Sequence, residues 1–274
     1  MPPLSEVVVV DLFEPMLREL LTLLSALSPD DWRRPTACAG WSVKDVAAHM
    51  LGGDLGNLSR QRDRWHSGIA AGSLAELVVQ LNAHNERWVA AARFVSPGVL
   101  RDLLALTGAQ VCAYFASLDP HATGDVVSWA GPEPAPVWLD LAREYTERWH
   151  HQQHIRDAVG RPGLKEPRFM APVLATFVRA LPMTYRDVTA PVGAIVVLTV
   201  TGGAGGRWAL HRERAGWSLG PAGPSADAEV VVDEDSAWRL FTKGLDREHG
   251  ERLVKISGDR HLGAKLLDAA AIIA

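Results

Sequence analysis

A chain of 274 residues, 47% hydrophobic and 22% charged, is long enough to bury one or two cores. Its 28 basic and 32 acidic residues leave a net charge of −4, which argues against a nucleic-acid footprint, since that needs a basic face. Two cysteines exclude a disulfide framework or a Cys-rich zinc site, and no uninterrupted apolar run reaches the roughly 18 residues of a membrane span.

In chain order, Leu12 to Leu27 carries Leu12, Met16, Leu17, Leu20, Leu21, Leu24 and Leu27 at close to helical period, predicting a first helix that Ser28-Pro29-Asp30-Asp31 ends. Ser42 and Asp45 have the spacing of a capping box, with Asp in place of the usual Glu. They open a second helix to about Leu51, before Gly52-Gly53. Third and fourth helices are expected over Leu74–Phe94 and from Ser96-Pro97-Gly98 to about Leu118. After the Pro/Gly-rich stretch Trp129–Pro136, a long helix runs from about Val137 to Val159 and stops at Gly160-Arg161-Pro162-Gly163. Past residue 165 the texture changes. Pro167–Leu181 still reads as helical, then Val192–Val200 reads as a buried strand. Three short strands follow around Arg207–His211, Gly216–Leu219 and Ala228–Val232, with helices at Asp235–Thr242 and Gly263–Ile273. The expected fold is α+β: a helical bundle over residues 1–163 and a small α+β domain over residues 164–274.

The ten histidines are the place to look for chemistry. His66, His84, His121, His211, His249 and His261 stand alone and read as surface residues. His49 shares a helical face with Val46 and Met50, so its imidazole points into the bundle. The run Glu144-Tyr-Thr-Glu147-Arg-Trp-His150-His151-Gln-Gln-His154 offers two chelating pairs one turn apart, Glu147/His151 and His150/His154, facing in different directions. Ile155, Leu141 and Val159 lie on the His151 side, whereas His150 and His154 fall toward the polar side, so the pattern leans to Glu147/His151. With His49 this makes a two-His, one-carboxylate set, which leaves a divalent ion open positions and is the mark of a catalytic site. Zinc suits it, and nickel, iron or manganese are tolerated. Cys38, before a Gly-Trp turn, and Cys112, inside a helix, read as small buried hydrophobes.

The segment Trp32-Arg-Arg-Pro-Thr36-Ala-Cys38-Ala-Gly40-Trp41-Ser-Val-Lys-Asp45-Val-Ala-Ala-His49 resembles the N-terminal signature of the mycothiol-dependent maleylpyruvate isomerase family, within the wider DinB-like metalloenzyme superfamily. Thr146-Glu147-Arg-Trp149-His-His151-Gln-Gln-His-Ile-Arg156-Asp157-Ala158 resembles the metal-binding final helix of the same family. By position the resemblance implies the metal set His49, Glu147 and His151. The wider superfamily often uses His-x-x-x-His on this helix, so His150/His154 stays a rival. The end of the chain, Ile256-Ser-Gly258-Asp259-Arg-His-Leu262-Gly-Ala-Lys-Leu266-Leu267, resembles a sterol-carrier-protein-like domain that helps cover the metal site in family members. Arg239 and Lys243 are its candidates for a basic substrate contact.

The implied activity is that of a metal-dependent S-transferase or isomerase. It would hold mycothiol, a low-molecular-weight thiol, as the thiolate that attacks a small electrophile. Two other readings stand beside it: a metal-dependent hydrolase that activates water, and a metal- or ligand-binding module without chemistry. Only five of the basic residues are lysine, an Arg-over-Lys bias that fits a high-GC actinobacterial host. The opening MPPLSEVVVVDLFEP lacks the basic start and cleavage site of a secretory signal. The expectation is a cytoplasmic protein, monomer or homodimer, without nucleic-acid or membrane partners.

Overall fold

The computed structural model describes residues 4–65 and 73–272. His66 and the last residue of the expected C-terminal helix, Ile273, lie outside them. Two compact units are present: Val9–Pro120 with Glu144–Leu164, and Met1–Val8 with His121–Arg143 and Lys165–Ile273.

The first unit is a bundle of α1 (Val10–Ser25), α2 (Val43–Gly56), α3 (Leu74–Ala92), α4 (Pro97–Ala116) and most of α5 (Val137–Val159). Helix α4 packs on α1 and α2, and α2 packs on α3. Leu20, Leu24, Val46, Ala47, Leu51, Leu100 and Leu104 form its core together with Ile155 and Val159 of α5. By length and composition α4 could cross a membrane, but Leu100, Leu104, Gly108, Val111 and Phe115 are buried within the unit. Its apolarity is that of a helix packed against two neighbours.

Helix α2 runs past the glycines expected to end it and turns into one π-helical stretch, Asn57–Arg62. The reason is packing. A Cβ on Gly52 would lie 2.7 Å from the Trp88 indole, whose Nε1 donates to the Ala48 carbonyl at 2.7 Å. Gly52 is there to let the ring approach, not to break the helix.

A buried charge cluster ties α5 to α2 and α4. The Arg148 guanidinium on α5 sits 2.8 Å from Asp54 Oδ1 on α2 and 2.6 Å from Glu144 Oε2 one turn back. Asn57 Nδ2 donates to Glu144 at 2.8 Å, and Thr107 Oγ1 of α4 donates to Asp54 at 2.9 Å. The guanidinium also lies over the Phe13 and Phe115 rings, 5.9 and 5.5 Å from their centroids. Burial pushes the Asp54 carboxyl up, against the pull of Arg148.

The second unit contains an antiparallel pair of β1 (Thr123–Val126) and β2 (Pro134–Pro136), the latter at the end of the Pro/Gly-rich stretch. It continues with α6 (Pro167–Phe177), a 3₁₀ turn and α7 (Leu181–Thr184). Strands β3 (Ile195–Thr201), β4 (Gly206–Glu213), β5 (Gly216–Pro221) and β6 (Ala228–Asp233) join β7 (Lys255–Gly258) in one sheet of order β5-β4-β3-β6-β7. Only β3 and β6 pair in parallel. Helices α8 (Glu234–Phe241), α9 (Arg247–Leu253) and α10 (Arg260–Ala264) complete the unit. The long helix expected from Gly263 is instead α10, a 3₁₀ turn over Lys265–Asp268 and an extended Ala269. Asp259 caps α10 by accepting from the His261 and Leu262 N–H groups, which places the helix start before Gly263. Mixed helix and sheet is the architecture observed.

Removing Arg148 should strand two buried carboxylates. Arg148→Ala is expected to cost about 3–5 kcal/mol of stability, measured by urea unfolding followed by circular dichroism. A loss below about 1 kcal/mol, the scale of an exposed ion pair, would show that the cluster does not hold the bundle.

Candidate metal centre

The site begins with the start of α2. The Ser42 hydroxyl accepts from the Asp45 N–H at 3.3 Å while Asp45 Oδ2 accepts from the Ser42 N–H at 3.0 Å, the reciprocal box read from the sequence. Arg93 adds a bond to Asp45 at 3.0 Å. Just ahead, the Trp41 N–H donates to the Cys38 carbonyl at 3.0 Å, closing a tight turn with Gly40 at φ +79, a value that favours glycine. The Trp41 indole donates to Glu86 at 2.8 Å, and its ring centroid lies 5.0 Å from that of His49. With both the turn and the cap fixed, His49 faces α5.

On α5, Glu147 Oε1 lies 2.9 Å from His151 Nε2 and 3.5 Å from His49 Nε2. One donor atom from each of the three residues falls within 4.8 Å of the others. Two metal bonds of about 2.0–2.1 Å meeting at a tetrahedral angle separate their donors by about 3.3 Å, so these spacings suit a small divalent ion without large movement. Two imidazoles and one carboxylate also suit zinc chemically. The His49 and His151 side chains are largely buried, 16% and 11% exposed, whereas that of Glu147 is 42% exposed. The set is therefore walled on the histidine side and open at the carboxylate.

Electrostatics divides the three residues. Burial lowers the His49 pKa, with the nearby His151 charge adding to it and the Glu147 carboxylate opposing it, which favours the neutral imidazole that a metal takes. Burial opposes the Glu147 charge, but His151 and His49 outweigh it and hold the carboxyl well below its ordinary range. Burial also opposes a charge on His151, yet the Glu147 carboxylate and the Cys38 sulfur raise it to about 10.

The other expectations divide. His150 and His154 do not face a polar side: both are buried, 5% and 9% exposed, because the unit surrounds α5 at this level. Burial drives the His150 pKa well down. Its ring packs 4.1 Å from that of His154. Cys38 is not simply a small hydrophobe, since its Sγ lies 3.0 Å from His154 Nδ1. Sequence reasoning missed this placement, although a cysteine held in a turn three residues before Trp41 and the helix cap was a usable signal. Cys112 is half-buried, beside Arg148 and Asp54 in a cavity of about 30 Å³, and burial pushes its thiol up. Arg239, on α8 of the second unit, is paired with Asp235 at 3.3 Å and lies 4.3 Å over the Trp238 ring. Lys243 follows that helix at φ +56 and is exposed. Of the lone histidines, His84, His121, His249 and His261 are exposed, and His211 on β4 is half-buried.

A family model described as the mycothiol maleylpyruvate isomerase N-terminal domain matches residues 13–156. The chain belongs to that family. Among solved structures, a mycothiol-dependent maleylpyruvate isomerase matches at 13% identity with a TM-score of 0.54. A histidine-to-alanine mutant form of such an isomerase matches at 14% identity with a TM-score of 0.51. Each match covers 90% of this chain and 91% of the other, and at that identity the likeness is one of fold. No curated protein matches the sequence.

A His151 pKa near 10 leaves that ring protonated at pH 7, whereas a metal takes the neutral imidazole. Zinc binding at pH 7 should therefore release about one proton, and apparent affinity should rise about tenfold per pH unit between pH 7 and 9. Calorimetric titration in buffers of different ionisation enthalpy counts the proton. Binding without proton release would remove His151 from the ligand set.

Proposed function

We propose that the chain is a metal-dependent enzyme that uses a low-molecular-weight thiol, mycothiol, to attack a small electrophile, as an isomerase or an S-transferase. The observation that carries this reading is the convergence of His49, Glu147 and His151 within 4.8 Å, inside the segment that defines the family. The same reading treats residues 1–163 as the DinB-like metal-binding bundle and residues 164–274 as a sterol-carrier-protein-like partner domain.

A divalent ion held by this set supplies Lewis acidity that keeps a coordinated thiol ionised at neutral pH. The chain supplies the rest. His49 presents a neutral imidazole, fixed by the capped start of α2 and covered by Trp41. Glu147 contributes the one negative charge of the set, so a divalent ion keeps net positive charge with which to stabilise an anionic sulfur. Its partial exposure marks the side from which thiol and electrophile enter. Below it, the Arg148 cluster fixes the register of α5 against α2 and so keeps Glu147 and His151 opposite His49. An isomerase releases the thiol after rotation about the attacked bond, and a transferase retains it. Maleylpyruvate, named for the structural relatives, is the first electrophile to try. Arg239 and Lys243 stay in this proposal as the candidates for a basic contact to the substrate.

In zinc-loaded protein with mycothiol and maleylpyruvate, thiol-dependent turnover should fall by more than about 100-fold in His49→Ala and Glu147→Ala, beyond the reach of outer-shell changes. His150→Ala should stay within about tenfold of wild type, because His150 is not one of the three converging donors. Full turnover in Glu147→Ala would overturn the assignment. Turnover that proceeds without thiol would point to water as the nucleophile.

A further inference from the structure

Among the described residues a second set of metal-type donors converges beside the first: Cys38, His151 and His154, with one donor atom from each within 4.8 Å of the others. Two elements supply it, the turn before α2 and the long helix α5. The cysteine is held in place by its backbone. Its N–H donates to Thr36 Oγ1 at 3.2 Å, its carbonyl accepts from the Trp41 N–H at 3.0 Å, and its Sγ meets His154 Nδ1 at 3.0 Å. His151 and His154 are both buried, 8% and 9% exposed.

We propose that Cys38, His151 and His154 form a second metal position, one that takes a thiophilic divalent ion such as zinc, cadmium or cobalt(II). The two sets differ in hardness. His49, Glu147 and His151 offer two nitrogens and an oxygen, whereas Cys38, His151 and His154 offer a sulfur and two nitrogens, and thiolate selects softer ions. Binding there forms a sulfur–metal bond as the Cys38 S–H proton and the extra proton of the His151 ring leave to solvent, with no change in oxidation state. His151 belongs to both sets, so the positions compete for one ion. An ion drawn to Cys38 leaves Glu147, and the chain's own sulfur then stands where an external thiol would have to bind. The position goes beyond the proposed function, since it needs neither His49 nor Glu147.

The test is cobalt(II) titration of the purified full chain in a Cys112→Ser background, which leaves Cys38 as the one thiol. A thiolate-to-cobalt charge-transfer band should appear in the near ultraviolet. It should persist in Glu147→Ala and fall to baseline in Cys38→Ser and in His154→Ala. The weaker visible bands of cobalt should survive in Cys38→Ser, because the ion moves to His49, Glu147 and His151; this also shows that the variant is folded. Absence of the charge-transfer band from the parent protein would overturn the proposal. So would its loss in Glu147→Ala, which would make Cys38 a fourth ligand of the first set. Neither result touches the assignment of His49, Glu147 and His151, whose failure would show instead as loss of the visible bands in Cys38→Ser.

Discussion

The site depends on the buried pairing of Arg148 with Asp54 and Glu144. Two helices distant in sequence must present His49 from one and Glu147 and His151 from the other at separations of 2.9–3.5 Å. Apolar packing alone tolerates small slips between helices, since dispersion and burial have no direction. A guanidinium that bonds a carboxylate on each of α2 and α5, with Thr107 meeting the other Asp54 oxygen and Asn57 sharing the Glu144 oxygen, does have one. Arg148 is the neighbour of Glu147 on α5, and Asp54 lies five residues beyond His49 on α2, so the clamp sits next to the donors it aligns. Desolvating such a cluster is costly, and the gain is register, not net stability.

Much of this was readable in the sequence, and the parts that were not share a cause. The capping box of Ser42 and Asp45 and the span of α5 were legible because each rests on local bonding and helical period. The facing pair Glu147 and His151 could be favoured from spacing for the same reason. The end of α2 was misjudged because the meaning of Gly52 lies in Trp88, 36 positions away and on another helix. His150 and His154 were placed on a polar side because an amphipathic pattern assumes that one face meets water. Helix α5 is enclosed at that level, and its polar residues are internal. Cys38 and Arg148 were missed as members of the site for a related reason: their partners come from other elements, and no local pattern names them. The short pieces β1, β2, β7 and α9 were missed because a few residues carry too little period to register.

Two candidate donor sets share His151. The set with Glu147 is harder, and the set with Cys38 is softer, its sulfur carried on the turn at Gly40. On the proposal of a second position, the ion the protein meets decides whether a place remains for an outside thiol. Cys38, which reads as a small hydrophobe in the sequence, is on the same proposal the residue that separates metal capture from thiol chemistry.

The central claim is that a metal at His49, Glu147 and His151 takes up an external thiol. X-ray absorption at the zinc edge tests it most directly, on the zinc-loaded double variant Cys38→Ser, Cys112→Ser, with and without mycothiol. Without thiol the ion should show only nitrogen and oxygen neighbours. With mycothiol one sulfur should appear at about 2.3 Å. A zinc shell that stays free of sulfur at saturating thiol would contradict the account.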